Sequence, residues 1–201
     1  HTEDGGMNFS YHYQTAHLQE HDALIDGCIL CGIPCYQGAC KLGILLAKAV
    51  VKVKGKDSQS RFLENLATGS FNKVIDNPET DVDWLSYNKN NVQDYINDEL
   101  CGVPFTSQGY LDLFTLMSKM GDLSLYQCKN PDLPIYVFAG EDDPCIGGTK
   151  GFADSIQRLQ NAGYKHIDTK LFPHMRHEVL HEEDSLEAMQ AAVTWIKKNI
   201  H

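Results

Sequence analysis

The sequence predicts an α/β fold in which a mostly parallel sheet with covering helices is interrupted by a long helical insertion. Three observations carry that expectation. The last third of the chain runs strand, helix, strand, helix, the rhythm of a parallel sheet. Far upstream, Gly27-Cys28-Ile29-Leu30-Cys31-Gly32 is a brief apolar run between glycines, as a buried strand would be. From Ile33 to about Asp132 no comparable strand pattern occurs.

The elements follow in order. Tyr11 to His21 is a short helix-compatible stretch, and the Gly27–Gly32 run is the first strand. Ala39 to Lys54, Ser58 to Ala67, Asn90 to Asn97 and Ser107 to Lys119 read as helices joined by loops. Leu133 to Gly140 is the second strand, apolar throughout, with Pro134 near its start. Gly151 to Ala162 is a helix ended by Gly163, and His166 to Phe172 is a third strand broken by Pro173. The last helix spans Ser185 to Lys198, with Asp184 or Ser185 as N-cap and Lys197 and Lys198 in its final turn. Residues 1–32 and 133–201 therefore form a partial core, and 33–132 a helical layer of its own. Three strands make a small sheet for 201 residues, so the remaining strands are expected upstream of His1.

Composition narrows the function. The net charge of −10 argues against nucleic acid, whose phosphates need a basic face. The longest apolar stretch, Leu42 to Val51, contains Lys48 and is far too short to span a bilayer. Seven cysteines cannot all pair within one chain, and no charged-then-apolar leader follows His1, so reduced thiols in a cytoplasmic protein are expected.

Five constellations could carry chemistry. After the second strand comes Gly140-Glu141-Asp142-Asp143-Pro144, and functional groups gather beyond the carboxyl ends of parallel strands. After the third comes His174-Met175-Arg176-His177-Glu178, which puts an imidazole after an acid in chain order, so that a carboxylate could hold its tautomer. His177-Glu178-Val179-Leu180-His181 also fits H-E-x-x-H, in which His177 and His181 would ligate zinc, but that pattern works only inside a helix. Cys28, Cys31, Cys35 and Cys40 have the spacing of a metal-cluster run; in a strand, however, residues three apart point to opposite faces. In the Ala39–Lys54 helix, Lys41, Lys48 and Lys52 form a stripe beside Leu42, Ile44, Leu45, Leu46, Val50 and Val51. Such a helix suits either a lid in transient contact with lipid at a membrane surface or an ordinary helix packed on the core.

Taken together, several segments resemble the α/β-hydrolases of the lysophospholipase and monoacylglycerol-lipase type. That family shares Gly-x-x-Asp-Pro for its acid and Arg-His-Glu for its histidine, here Gly140 to Pro144 with Asp143, and Arg176-His177-Glu178. Phe71-Asn72-Lys73, Asp83-Trp84-Leu85-Ser86 and Cys101-Gly102-Val103-Pro104-Phe105-Thr106 read like the lid of its bacterial members. The resemblance implies an α/β-hydrolase fold with a helical lid, and a serine hydrolase cleaving a lipid-like carboxylic ester, a lysophospholipid or monoacylglycerol, without cofactor. It assigns Asp143 and His177 to a Ser-His-Asp triad. The nucleophile departs from the pattern. Counting back places Gly6-Met7-Asn8-Phe9-Ser10 where the family has Gly-His-Ser-x-Gly, with Asn8 in the serine's slot and Ser10 the nearest serine. A non-catalytic, acyl-ligand-binding pseudo-hydrolase is therefore the alternative, ahead of a zinc metallohydrolase.

Overall fold

The computed structural model describes residues 18–200. Their sheet has three strands, β1 (Cys28–Cys31), β2 (Ile135–Gly140) and β3 (Ile167–Phe172), in the order β1-β2-β3. Both pairings are parallel, with Cys28 opposite Ile135 in one and Gly140 opposite Phe172 in the other. The helices α1 (Cys40–Lys54), α2 (Arg61–Ala67), α3 (Lys89–Asn97) and α4 (Ser107–Met120) all lie between β1 and β2. Helix α5 (Gly148–Ala162) connects β2 to β3, and α6 (Ser185–Asn199) ends the chain. The fold class is the one the sequence predicts.

Helix ends differ from expectation by a residue or a few, and side-chain caps account for several. Ser60 accepts the Leu63 N–H at 3.4 Å, so α2 starts at Arg61 rather than Ser58. Asn88 accepts the N–H of Asn90 at 3.1 Å, starting α3 at Lys89. Thr106 caps α4 through Gly109 at 3.1 Å. Asp184 occupies the N-cap position of α6, but its side chain makes no capping bond; its carbonyl instead accepts the Glu187 N–H at 3.0 Å.

Strand periodicity splits the core into two layers. Ile135, Val137 and Ala139 join Cys28, Leu30, Phe152 and Leu159 on the α5 side. Tyr136 and Phe138 join Phe172, Ala188 and Trp195 on the α6 side. Every residue of β2 is buried, as a central strand covered on both faces must be. Between β1 and β2, a third cluster of Ala47, Leu63, Tyr110, Leu113 and Phe114 holds α1, α2 and α4 together. There Gly43 lets α1 approach the Phe114 ring, 3.0 Å from where a Cβ would stand.

The Cys28 and Cys31 side chains fall in different layers, as their strand spacing requires. Burial pushes both thiols up to about 12, with the Asp143 charge adding to the effect on Cys31.

At the carboxyl end of β2 the chain passes unusually close to a neighbour. A Cβ on Gly140 would lie 2.2 Å from the carbonyl oxygens of Met175 and Arg176. Backbone, unlike a side-chain tip, cannot swing aside. Gly140→Ala should therefore lower stability by ~2–4 kcal/mol, seen as a reduced urea midpoint. Gly38→Ala, with nothing within 4 Å of its Cβ, is the control and should be close to neutral. A Gly140→Ala midpoint equal to that of Gly38→Ala contradicts the packing argument.

The thiols predict a pH dependence. Unfolded thiols ionise near 9.0, while Cys28 and Cys31 in the folded chain hold their protons to about 12. Above pH 9 the unfolded state thus binds fewer protons, and stability must fall as pH rises toward 12. Urea midpoints measured from pH 8 to pH 11 should decline, and decline less steeply in a Cys28→Ala, Cys31→Ala double variant. Equal slopes would refute the assignment.

Candidate active site

Asp143 follows β2 by three residues and is shaped by the turn that begins there. It is the N-cap of a 3₁₀ turn, Pro144–Ile146, and its Oδ1 accepts the Cys145 N–H at 2.8 Å. Pro144 supplies a preset φ at the first position, and Gly147 closes the turn in the left-handed region at φ 69°. One carboxylate oxygen is thereby fixed by backbone, leaving Oδ2 to point elsewhere.

Oδ2 meets His177. The imidazole Nδ1–H donates to it at 2.8 Å, and both side chains are buried. The His177 loop reaches this position because β3 ends opposite Gly140 and the pairing continues past the strands. Glu141 N–H donates to Phe172 O at 2.9 Å, and Asp142 N–H to Met175 O at 3.1 Å. His174 takes a left-handed φ of 57° as the loop reverses. Gly32, at the end of β1, also has a positive φ, and a Cβ there would stand 3.2 Å from His177 Nδ1. All three strand ends converge on this imidazole.

Its other neighbours come from the helical segment. Trp84, in the 3₁₀ turn Asp83–Leu85, lies with its ring centroid 5.0 Å from that of His177, and Phe71 lies 5.0 Å beyond Trp84. The turn is held by Asp83, whose carboxylate accepts the Glu79 N–H at 2.6 Å, the Thr80 N–H at 3.3 Å and the Thr80 hydroxyl. Burial pushes Asp83 up, but those hydrogen bonds outweigh it and hold its carboxyl below the usual range. The Arg176 guanidinium donates to Asp83 O at 2.7 Å and Ser86 O at 3.2 Å, and stacks 3.8 Å above the Tyr87 ring. Tyr87 OH donates to Asp142 Oδ2 at 3.0 Å.

The remaining sequence candidates fare differently. His181 is 63% exposed at its side chain and lies 3.7 Å from Glu178, whereas the His177 side chain is 4% exposed and bound to Asp143. The H-E-x-x-H stretch crosses a bend and a short 3₁₀ turn, Val179–His181, so its two histidines do not share a helix face. Among the described residues, the side chains that bring three ligand-type atoms within 4.8 Å are Asp143, Cys145 and His177; the Cys28–Cys40 run does not converge. Burial raises the Cys145 thiol well above its ordinary value. The α1 stripe is exposed as expected, but Leu42 and Leu45 are also outward, 58% and 64% exposed. Asn8 and Ser10 lie outside the described residues. Trp84 was legible only as part of a lid-like motif, without a role. Glu182, a buried acceptor beside this site, gave no signal, since Glu182-Glu183-Asp184 reads as an acidic run before a helix.

A hydrogen-bonded carboxylate and imidazole in this arrangement can hold one tautomer, leaving Nε2 free to take and return a proton. No helix among the described residues is long and apolar enough to cross a membrane.

Comparison with known proteins identifies the fold. A carboxyl esterase from Bacillus coagulans, described in complex with glycerol, matches with a TM-score of 0.85 at 21% identity, over 95% of this chain and 62% of that one. A monoacylglycerol lipase from Paleococcus ferrophilus matches with a TM-score of 0.63 at 17% identity, over 98% of this chain and 66% of that one. A soluble variant of monoglyceride lipase from Saccharomyces cerevisiae, in complex with a substrate analog, gives 0.59 at 19% identity, over 98% and 63%. The chain thus spans 62% of the length of the esterase it resembles. No curated protein matches it. The family model described as Serine aminopeptidase, S33 matches residues 12–184, most of the chain. The chain belongs to that family of serine hydrolases, and its fold is that of the α/β-hydrolases.

Proposed function

We propose that the protein hydrolyses the carboxylic ester of a lipid-like alcohol, a monoacylglycerol or lysophospholipid, with Asp143 and His177 as the acid and base of a Ser-His-Asp triad. The observation that carries this reading is the buried 2.8 Å bond from His177 Nδ1 to Asp143 Oδ2 at adjacent strand ends. The nucleophile in this reading is an upstream serine, of which Ser10 is the nearest to the slot that Asn8 occupies. Its hydroxyl attacks the ester carbonyl as Nε2 of His177 takes the proton, and Asp143 stabilises the imidazolium. The imidazolium then returns the proton to the departing alcohol, and a water activated by His177 releases the acid. An ester rather than an amide fits the likeness to esterases and monoacylglycerol lipases, and the apolar wall of Trp84 and Phe71 beside the imidazole suits an acyl chain.

The segment 33–132 serves in this reading as a lid that rests on an anionic lipid surface through α1. Leu42, Leu45 and Val53 are 58%, 64% and 83% exposed on the face of α1 turned away from Phe114. Lys41, Lys48 and Lys52 border them, Lys54 and Lys56 follow, and no acidic residue occurs between Asp26 and Asp57. In a chain of net charge −10 this is a local cationic, apolar face, the pattern of an interfacial helix.

Two measurements test these readings. A fluorophosphonate probe should label one serine upstream of Asp143, identified by peptide mass spectrometry. Labelling and p-nitrophenyl ester hydrolysis should be lost in His177→Ala, and hydrolysis should fall on the order of 10³–10⁴-fold in Asp143→Asn. Unlabelled protein that still binds fatty acid points instead to the acyl-binding pseudo-hydrolase. For the lid, sedimentation with vesicles rich in phosphatidylserine should exceed that with phosphatidylcholine vesicles. Lys48→Glu with Lys52→Glu should weaken it roughly tenfold or more, at about 1 kcal/mol per lysine. Equal binding to both vesicle types, or self-association through α1 in their place, overturns it.

A further inference from the structure

The proposed triad does not use Glu182, yet that residue is one of the most heavily hydrogen-bonded side chains in the protein. It stands between the Val179–His181 turn and α6 and is buried. Among the described residues no Lys or Arg side chain pairs with it. Four hydrogen-bond donors surround it instead. Oε1 accepts from Arg176 N–H at 2.7 Å and Tyr87 N–H at 3.1 Å. Oε2 accepts from the Ser86 hydroxyl at 2.8 Å, Tyr87 N–H at 3.0 Å and Asn88 N–H at 3.2 Å.

The donors come from two places in the chain. Arg176 immediately precedes His177, whereas Ser86, Tyr87 and Asn88 follow the turn that carries Trp84. The same seam is reinforced by Glu178 N–H to Leu85 O at 2.8 Å and by Asn88 Nδ2 to His181 O at 3.0 Å. A carboxylate is suited to this position because it offers acceptors only, and every group facing it is a donor. An isolated buried carboxylate would be strongly disfavoured; one surrounded by backbone N–H groups is not.

We propose that Glu182 is a positioning residue that fastens the 83–88 turn to the His177 loop and so sets the Trp84 ring against the imidazole. The inference rests on His177 as the base for its consequence in catalysis, but its geometric content does not depend on turnover. Without the carboxylate, three donors at 86–88 lose their common acceptor, and Trp84 loses its fixed place 5.0 Å from His177.

Glu182→Gln tests it. The amide is nearly the same size, but whichever way it turns, its NH₂ faces a backbone N–H. The readout is the pair of carbon-bound imidazole protons of His177, which the indole ring current shifts in the wild type. In Trp84→Ala those resonances should move away from their wild-type positions, and in Glu182→Gln they should move in the same direction by a comparable amount. The low-field Nδ1–H resonance, which reports the Asp143 bond, should persist in both. In ester hydrolysis Glu182→Gln should lower kcat/KM by on the order of 10–100-fold, as expected for a displaced catalytic shell. His177 resonances unchanged in Glu182→Gln overturn the proposal. If that variant does not fold, Ser86→Ala removes one donor on the 86–88 side alone. It should give a smaller shift in the same direction, and no shift again overturns it. Absence of serine labelling in the wild type would defeat the hydrolase reading without touching the resonance test, so the two can fail separately.

Discussion

The parallel register of β2 on β3 is the constraint on which the site depends. With Gly140 opposite Phe172, the two chains leave the sheet side by side and remain joined through Glu141 and Asp142 for two further hydrogen bonds. Just beyond that zip, Asp143 and His177 meet. Packing locks the register. A slip of one residue would exchange Ile135, Val137 and Ala139 with Tyr136 and Phe138 between two layers built for different volumes. The aromatic layer on α6, where Tyr136 stacks on Trp195 at 5.6 Å, has no room to trade rings for an alanine-sized neighbour on the other face.

The sheet also explains which glycines are required. At Gly140 the His177 loop crosses the end of β2 so closely that two carbonyl oxygens occupy the space of a Cβ. At Gly32 the chain leaves β1 with a positive φ while the imidazole edge sits above it. Both absences of a side chain serve one residue, His177, and both lie at carboxyl ends of strands, where open α/β sheets place their functional groups.

Much of this was legible in the sequence, for reasons that can be named. Strand β2 announced itself because a strand buried on both faces is apolar without interruption. Asp143 and His177 stood out because a proline-pinned acid and a histidine followed successive strands. The Cys28 and Cys31 side chains separated as strand geometry dictates. Other features were hidden because they depend on contacts between distant residues. Helix starts at Arg61 and Lys89 were set by the capping bonds of Ser60 and Asn88, which move the boundary by a residue or more. The orientation of α1 was ambiguous, since apolar residues ring most of its circumference. Tertiary packing chose the Gly43–Ala47 face because only a glycine admits Phe114 so closely, leaving Leu42 and Leu45 outward. Glu182 was invisible for the same reason: three of its four partners, Ser86, Tyr87 and Asn88, lie 94 to 96 residues away, and its neighbours Glu183 and Asp184 are acidic too.

Asp143 and Glu182 show how one chemical group can be used in two ways around the same short loop, at His177 and Arg176. Each is a buried carboxylate, a costly thing to place away from water unless its oxygens are occupied. Asp143 gives one oxygen to backbone, the Cys145 N–H, and keeps the other for an imidazole whose charge can change. Glu182 gives both oxygens to groups that do not titrate: three backbone N–H groups and a hydroxyl. The first arrangement can respond to a proton arriving on its partner; the second cannot, and can only hold things still. Proton transfer needs both properties at one site, an imidazole electrostatically supported on one edge and walls that do not move when it becomes charged. The loop from Arg176 to Glu182 carries the imidazole itself and the carboxylate that pins the Trp84 turn beside it. A displacement of that loop would shift imidazole and wall together, so their relation to one another is kept even when the loop as a whole adjusts.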